Sequence, residues 1–219
     1  MSTSFEERVL PLFPLNVVLF PGGTQSLHVF EERYKLMVQR CLDGDSRFGV
    51  VLIKEGQEVG AAATPFDVGT VGHIARVKKE DDGRMFLAVR GEERFRVVEV
   101  VQQTPYLGGR VAPLDEADDR PLAESEMVAL RESITRYVRL LMGLHGGWTR
   151  EVDLPDDPVA LSWYVAQLLQ CGLPEKQGML ETPTASDRLR HAQVLLDQGA
   201  DELKARVARR LVRGSSMGR

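Results

Sequence analysis

The sequence predicts an α+β chain, strands first and helices second, and three observations carry that reading. From Leu10 to about Leu114, short runs rich in valine, isoleucine and phenylalanine recur between glycine turns, which is the texture of strands. From about residue 122 onward, apolar residues return every three or four positions, the period of an amphipathic helix. Between the two lies Asp115–Pro121 (DEADDRP), acidic, poor in apolar residues and closed by proline. The expected organisation is a strand-rich unit over 1–114, a linker over 115–121, a helical unit over 122–213 and a disordered tail over 214–219.

The opening segment, Leu10 to Gly22, reads LPLFPLNVVLFPG. Pro11, Pro14 and Pro21 interrupt an apolar run, and proline is tolerated in sheets at edges, strand starts and bulges. A short, kinked edge strand ending in the turn Pro21-Gly22-Gly23 is expected. In the next segment Phe30, Tyr34, Met37, Val38, Cys41 and Leu42 fall on one helical face, with Gly44 as a stop. Phe48 to Lys54 is a continuous apolar run, as in a central strand. Gly69–Lys79 and Arg84–Arg90 flank Asp81-Asp82-Gly83, a hairpin signal. Gly91-Glu92-Glu93 is read as a turn into a strand from Arg94 to Gln102, and Leu107–Leu114 as one more. Strands this short, with glycine turns between them, suggest a small barrel or a strongly bent sheet.

In the second half, Met127, Leu130, Ile134, Tyr137, Val138 and Leu141 mark one amphipathic helix, ended near Gly143 and Gly146-Gly147. Asp157-Pro158 is a cap and first-turn pair. The helix it opens, VALSWYVAQLLQC, is apolar nearly all round and is expected at the centre of a bundle. Gly172-Leu173-Pro174 ends it. A short helix near Glu175–Glu181 and a long one from about Ala185 to Val212 follow.

The chain has 219 residues, 43% hydrophobic and 27% charged, with a net charge of -4. That balance gives no general attraction to polyanions. Its two cysteines, Cys41 and Cys171, fall at apolar helical positions and are expected to be buried free thiols in a reducing compartment. The start, MSTSFEER, carries no apolar secretory core, and no run approaches the roughly 18 apolar residues of a membrane span. A soluble, cytoplasmic chain is expected.

Catalytic signatures are missing. No G-x-x-x-x-G-K-[ST] phosphate cradle and no G-x-S-x-G elbow occur. His28, His73, His145 and His191 share no ligand spacing, and there is no Cys-x-x-Cys, so no metal is expected. Acidic pairs (Glu31-Glu32, Glu92-Glu93, Asp156-Asp157) sit at expected turns and helix starts, where carboxylates solvate or complement the helix dipole. No cofactor is expected. One charged cluster stands out: Lys204, Arg206, Arg209, Arg210 and Arg213 on the last helix. Basic residues there complement the helix dipole; the alternative is a patch for nucleic acid or an acidic partner.

Several motifs together resemble the N-terminal, substrate-binding domain of Lon proteases. They are the proline-rich opening, LHVFEERYKLM, Gly69-Thr70-Val71-Gly72, the VRGEERFRV stretch with Gly91, Arg94 and Phe95, and LPEKQGMLETPTASDRL from Leu173 to Leu189. The likeness runs from about Leu10 to Leu211. LHVFEERYKLM is closer to stand-alone and RING-fused members, which often carry proline where Glu32 stands. The resemblance implies a PUA-like β-barrel, of about six or seven strands with one helix, followed by a C-terminal α-helical bundle. In the proteases a coiled coil, an ATPase and a Ser-Lys protease domain follow; here the sequence ends at Arg219. It therefore implies binding of unfolded or tagged polypeptide, or docking of a partner protein such as a separate ATPase or protease, without proteolysis. The candidate binding residues are Leu15, Val17, Phe20, Pro21, Leu27 and Phe30. Core packing is the competing role for all six, above all for Leu27 and Phe30, whereas Leu15, Phe20 and Pro21 lie beside breakers and are expected to keep some exposed surface. The alternative function is an RNA-binding PUA-like protein that uses the basic last helix.

Overall fold

The computed structural model describes residues 7–57, 63–144 and 146–216. Six strands precede most of the helices: β1 (Arg8–Leu15), β2 (Thr24–Val29), α1 (Glu32–Leu42), β3 (Arg47–Glu55), β4 (Thr64–Lys79), β5 (Met85–Gln102) and β6 (Gly108–Pro113), then α2 (Glu124–Leu144), α3 (Pro158–Leu168), α4 (Leu173–Glu181) and α5 (Ala185–Ser216). The α+β class is as expected. The chain divides into two compact units. One holds residues 1–116 with 173–181, the other 117–172 with 182–219.

In the first unit the strands form one sheet in the order β2-β5-β4-β3-β1-β6, with a further β5–β6 pairing. The sheet thus curls back on itself, but β2 stays outside the closure, so it is not a clean barrel. The opening strand is not an edge strand either. It lies between β3, to which it is parallel, and β6, to which it is antiparallel. Its prolines are tolerated there because intervening residues still donate; Leu12, between Pro11 and Pro14, gives its N–H to the Leu107 carbonyl at 2.8 Å.

The stretch read as a turn at Gly91-Glu92-Glu93 is instead a bulge inside the long strand β5. Thr70 pairs with Arg94 and Gly72 with Gly91, so β5 carries one residue more than β4 between these points. A second irregularity falls between Ile74 and Arg76 of β4. The bulges bend β5, which pairs with β2 along its first half and with β6 along its second. The expected hairpin is present, with Gly83 at φ 79° and its N–H on the Glu80 carbonyl; that backbone suits a residue without Cβ.

Two apolar clusters fill this unit. The larger gathers Phe13, Tyr34, Met37, Phe48 and Leu87 among others, with Phe13 and Tyr34 stacked at 4.2 Å. The smaller is built on Leu12, Val51, Val71, Phe95 and Val111. Helix α4, expected among the other helices, packs here against β4. The Gln177 side chain donates to the Val68 carbonyl at 3.1 Å. Buried Arg94 donates to the Leu180 carbonyl at 2.9 Å and to the Glu116 carboxylate at 3.1 Å. Helix α4 thus groups with residues 1–116 and not with the other helices, so the helical unit expected over 122–213 is interrupted; the α4 apolar side chains Met179 and Leu180 are buried.

In the second unit α2 and α3 pack on α5. Asp157 caps α3 by accepting the Ala160 N–H at 2.7 Å, and Pro158 fills the first turn. Thr184 and Asp187 bond reciprocally at the start of α5. The segment read as a linker is tied down: the Asp119 carboxylate accepts the Ser186 N–H at 2.8 Å, and Ala117 donates to the Pro183 carbonyl. Helix α5 runs to Ser216, past the residue where the tail was expected; 217–219 lie outside the described residues. Among the described residues, no helix is long and apolar enough to cross a membrane.

Candidate functional site

Of the three residues expected to keep exposed surface, Pro21 keeps some and Leu15 and Phe20 do not. Leu15 is 4% exposed, Phe20 2% and Leu27 8%; Val17 and Pro21 are half-buried, with Val17 packed on the larger cluster. The breakers leave surface open only where the loop is loose, and this one is stapled. The Thr70 hydroxyl donates to the Leu19 carbonyl at 2.6 Å, the Gly22 N–H to the Gly91 carbonyl, and the Gly91 N–H to the Gly23 carbonyl. Phe30 shows the opposite. Helix α1 begins two residues after it, at Glu32, so Phe30 is outside the helical face, and it is 46% exposed. Of the six residues, it alone reaches an open surface.

That surface is the outer face of β2, β5 and β4. In β2 the side chains of Leu27 and Val29 turn inward and those of Thr24, Ser26 and His28 outward. In β5 Met85, Leu87 and Val89 are buried and Phe86 and Arg90 exposed. Register places His28 opposite Phe86 and Ser26 opposite Ala88, with Lys78 and Arg76 of β4 beside them. The His28 and Phe86 rings stack at 4.5 Å, inclined by 10°, and Phe30 lies 5.5 Å from His28. A groove of about 530 Å³ runs over this face, lined among others by Ser26, His28, Arg76, Lys78, Phe86 and Ala88.

Phe86 keeps 43% of its surface in solvent, so the stack offers a flat apolar platform. Arg76 and Arg90 have no hydrogen bond or ion pair among the described residues, while Lys78 is paired with Glu80 at 2.8 Å. No group of His, Cys, Asp or Glu suited to a metal occurs among the described residues. Sequence reasoning missed His28, Phe86, Arg76 and Arg90 as a set. Strand alternation in TQSLHV and MFLAVR was the available signal: it turns His28 and Phe86 outward, where a large ring has no core to fill.

Of the basic cluster on α5, the side chains of Lys204, Arg206 and Arg209 are described. Lys204 is paired with Asp201 at 2.9 Å, and Arg209 donates to the Ala205 carbonyl within its own helix. Arg206 is exposed. The side chains of Arg210 and Arg213 lie outside those described.

The site is thus an aromatic platform on the outer face of a bent, bulged sheet. The chain belongs to the family described as the ATP-dependent protease La (LON) substrate-binding domain, whose model matches residues 9–198, as the resemblance in the sequence implied. It is 31% identical over 201 residues to Lon protease 2 of Myxococcus xanthus, covering 90% of this chain and 24% of that protein. It is 29% identical over 200 residues to the Lon protease of Anaeromyxobacter dehalogenans, again covering 90% and 24%. The chain thus spans about a quarter of the length of these relatives. Among solved structures it is similar to a Lon N-terminal domain protein from Xanthomonas campestris, at 30% identity and a TM-score of 0.61, covering 85% of this chain and 98% of that one. The N-terminal domain of the Mycobacterium avium complex Lon protease shares the fold at 15% identity and a TM-score of 0.63, covering 87% and 98%.

Proposed function

We propose that this chain is a non-catalytic polypeptide-binding module that holds unfolded or tagged protein segments, or a docking segment of a partner protein, on the outer face of β2, β5 and β4. In this reading the curled sheet corresponds to the PUA-like barrel of the resemblance. The observation that carries the proposal is the exposed His28–Phe86 stack with Phe30 beside it. Large rings held open in a groove are the usual anchors of protein recognition. The family's description as a substrate-binding domain supports it, and so does the lack of a catalytic constellation at the groove. Nothing in the family match supports the RNA alternative, and the last helix carries no Phe, Tyr or Trp on which bases could stack.

The test is fluorescence anisotropy of the purified chain with a labelled, permanently unfolded apolar-rich polypeptide and with an RNA oligomer, each at low and high salt. Binding of the polypeptide that survives salt is expected. Phe86→Ala and Phe30→Ala should each weaken it roughly threefold to tenfold, the worth of one aromatic contact. Salt-sensitive binding of RNA alone would overturn the proposal. No peptide hydrolysis is expected, with or without ATP, and turnover by protein free of host proteases would refute the non-catalytic part.

A further inference from the structure

Strand β2 pairs with β5 and with no other strand. Its register with β5 is continuous from Thr24↔Arg90 to Val29↔Met85, and just before it the Gly91 N–H bonds to the Gly23 carbonyl at 2.8 Å. Bonded and non-bonded pairs alternate in an antiparallel ladder. Counting on from Gly23, the bonded residues are Gln25, Leu27 and Val29. The N–H and C=O groups of Thr24, Ser26 and His28 therefore point away from β5, toward the free edge. Among the described residues, no other backbone group bonds to them; the Ser26 carbonyl accepts only the Gln25 side-chain amide, at 3.2 Å.

Natural edge strands are guarded by charge, proline or a bulge. TQSLHV has none of these. An unguarded edge beside an open aromatic platform is suited to strand addition, in which main-chain bonds supply affinity and alternate side chains supply specificity. The charges narrow the occupant. On the outer face of the three strands, Arg76, Lys78 and Arg90 are basic, and β2 carries no Lys, Arg, Asp or Glu. Glu80 balances Lys78, but among the described residues no carboxylate pairs with Arg76 or Arg90, although the whole chain carries -4.

We infer that the occupant is an extended polypeptide strand that adds to the free edge of β2, with acidic side chains at the outward positions in line with Arg90 and Arg76 and apolar ones at the alternate positions. This rests on the polypeptide-binding proposal and specifies its mode. The backbone of the incoming strand bonds to Thr24, Ser26 and His28. One of its outward side chains lies against the His28–Phe86 stack.

The experiment uses labelled peptides of alternating glutamate and valine. One carries N-methyl groups on the amides that would face β2, a second carries them on the opposite edge, and a third has lysine for glutamate. The unmodified peptide and the opposite-edge peptide should bind alike. Methylation on the facing edge should weaken binding roughly tenfold or more, because each lost bond strands a polar group. The lysine peptide should weaken similarly. Ser26→Pro, which removes one free-edge donor and no ladder bond, should reproduce the loss; methylated peptides against the unaltered chain make the result independent of how that variant folds. If peptides bind but methylation on either edge is without effect, strand addition is wrong and the polypeptide-binding proposal stands. If no polypeptide binds, both fail. Sedimentation showing β2-dependent dimers, or RNA displacing the peptide, would overturn the choice of occupant.

Discussion

The guanidinium of Arg188 lies 3.6 Å from the centroid of the Trp163 ring, and both residues are buried. The same guanidinium donates to the Ser162 hydroxyl and the Thr182 carbonyl, each at 3.0 Å. A charge with no exposed surface holds only when its donors are engaged, and here they join α3, α5 and the chain entering α5. Arg188→Ala should cost about 3 kcal/mol, through lost cation–π and hydrogen-bonding contacts and a cavity. Arg188→Lys should recover little, since an ammonium lacks the planar fork. Urea unfolding followed by tryptophan fluorescence reads both; a loss under about 0.5 kcal/mol for the alanine variant, the range of ordinary surface changes, would contradict the role.

Gly91 and Phe20 are a second such pair. A Cβ on Gly91 would sit 2.2 Å from the Phe20 carbonyl oxygen, so Gly91→Ala must push the opening loop off the sheet. It should destabilise the chain by about 2 kcal/mol, as overpacked sites do, and expose Phe20. Increased binding of a hydrophobic dye to the folded variant is the expected signature. Gly22→Ala is the contrast, because open space surrounds its Cβ position and only its φ of 73° resists.

Arg94 holds α4 on the sheet. With 3% of its surface exposed, it donates to the last-turn carbonyl of Leu180 and to Glu116. Arg94→Met keeps the bulk and removes the donors. It should release α4 locally, read as faster amide exchange and proteolysis across Leu173–Glu181. Unchanged protection there would show that apolar packing alone seats the helix.

The thiol of Cys41 is pushed up to about 11 from 9.0, by burial first and the nearby Asp45 carboxylate second. The folded chain then keeps a proton that the unfolded chain has lost, so this contribution to stability is complete below about pH 9 and disappears as pH rises toward 11. Cys41→Ala should flatten the stability profile in that window. At pH 8 an alkylating reagent should modify half-buried Cys171 first and Cys41 only on unfolding. Fast labelling of Cys41 in the native chain would refute this.

Most strands and helices were legible in the sequence because their signals are local. A continuous apolar run marks FGVVLIK, an Asp-Gly turn marks the β4–β5 hairpin, and Asp157-Pro158 marks the start of α3. The motif residues Arg94, Gln177 and Arg188 were legible as motif, yet their roles were not. Each is a buried polar residue whose partner lies elsewhere in the chain, such as Leu180, Val68 or Ser162.

The sequence by itself determined the α+β class, the order of the elements and the family, since periodicity, turn chemistry and motif spacing are written along the chain. Tertiary structure alone decided that β1 is interior, that Gly91 marks a bulge, that α4 belongs with the sheet, and that Phe20 is core while Phe30 and Phe86 are open. Pairing partners and burial depend on which distant segments meet, and a proline-rich apolar run reads the same at an edge or between two strands until its neighbours are placed.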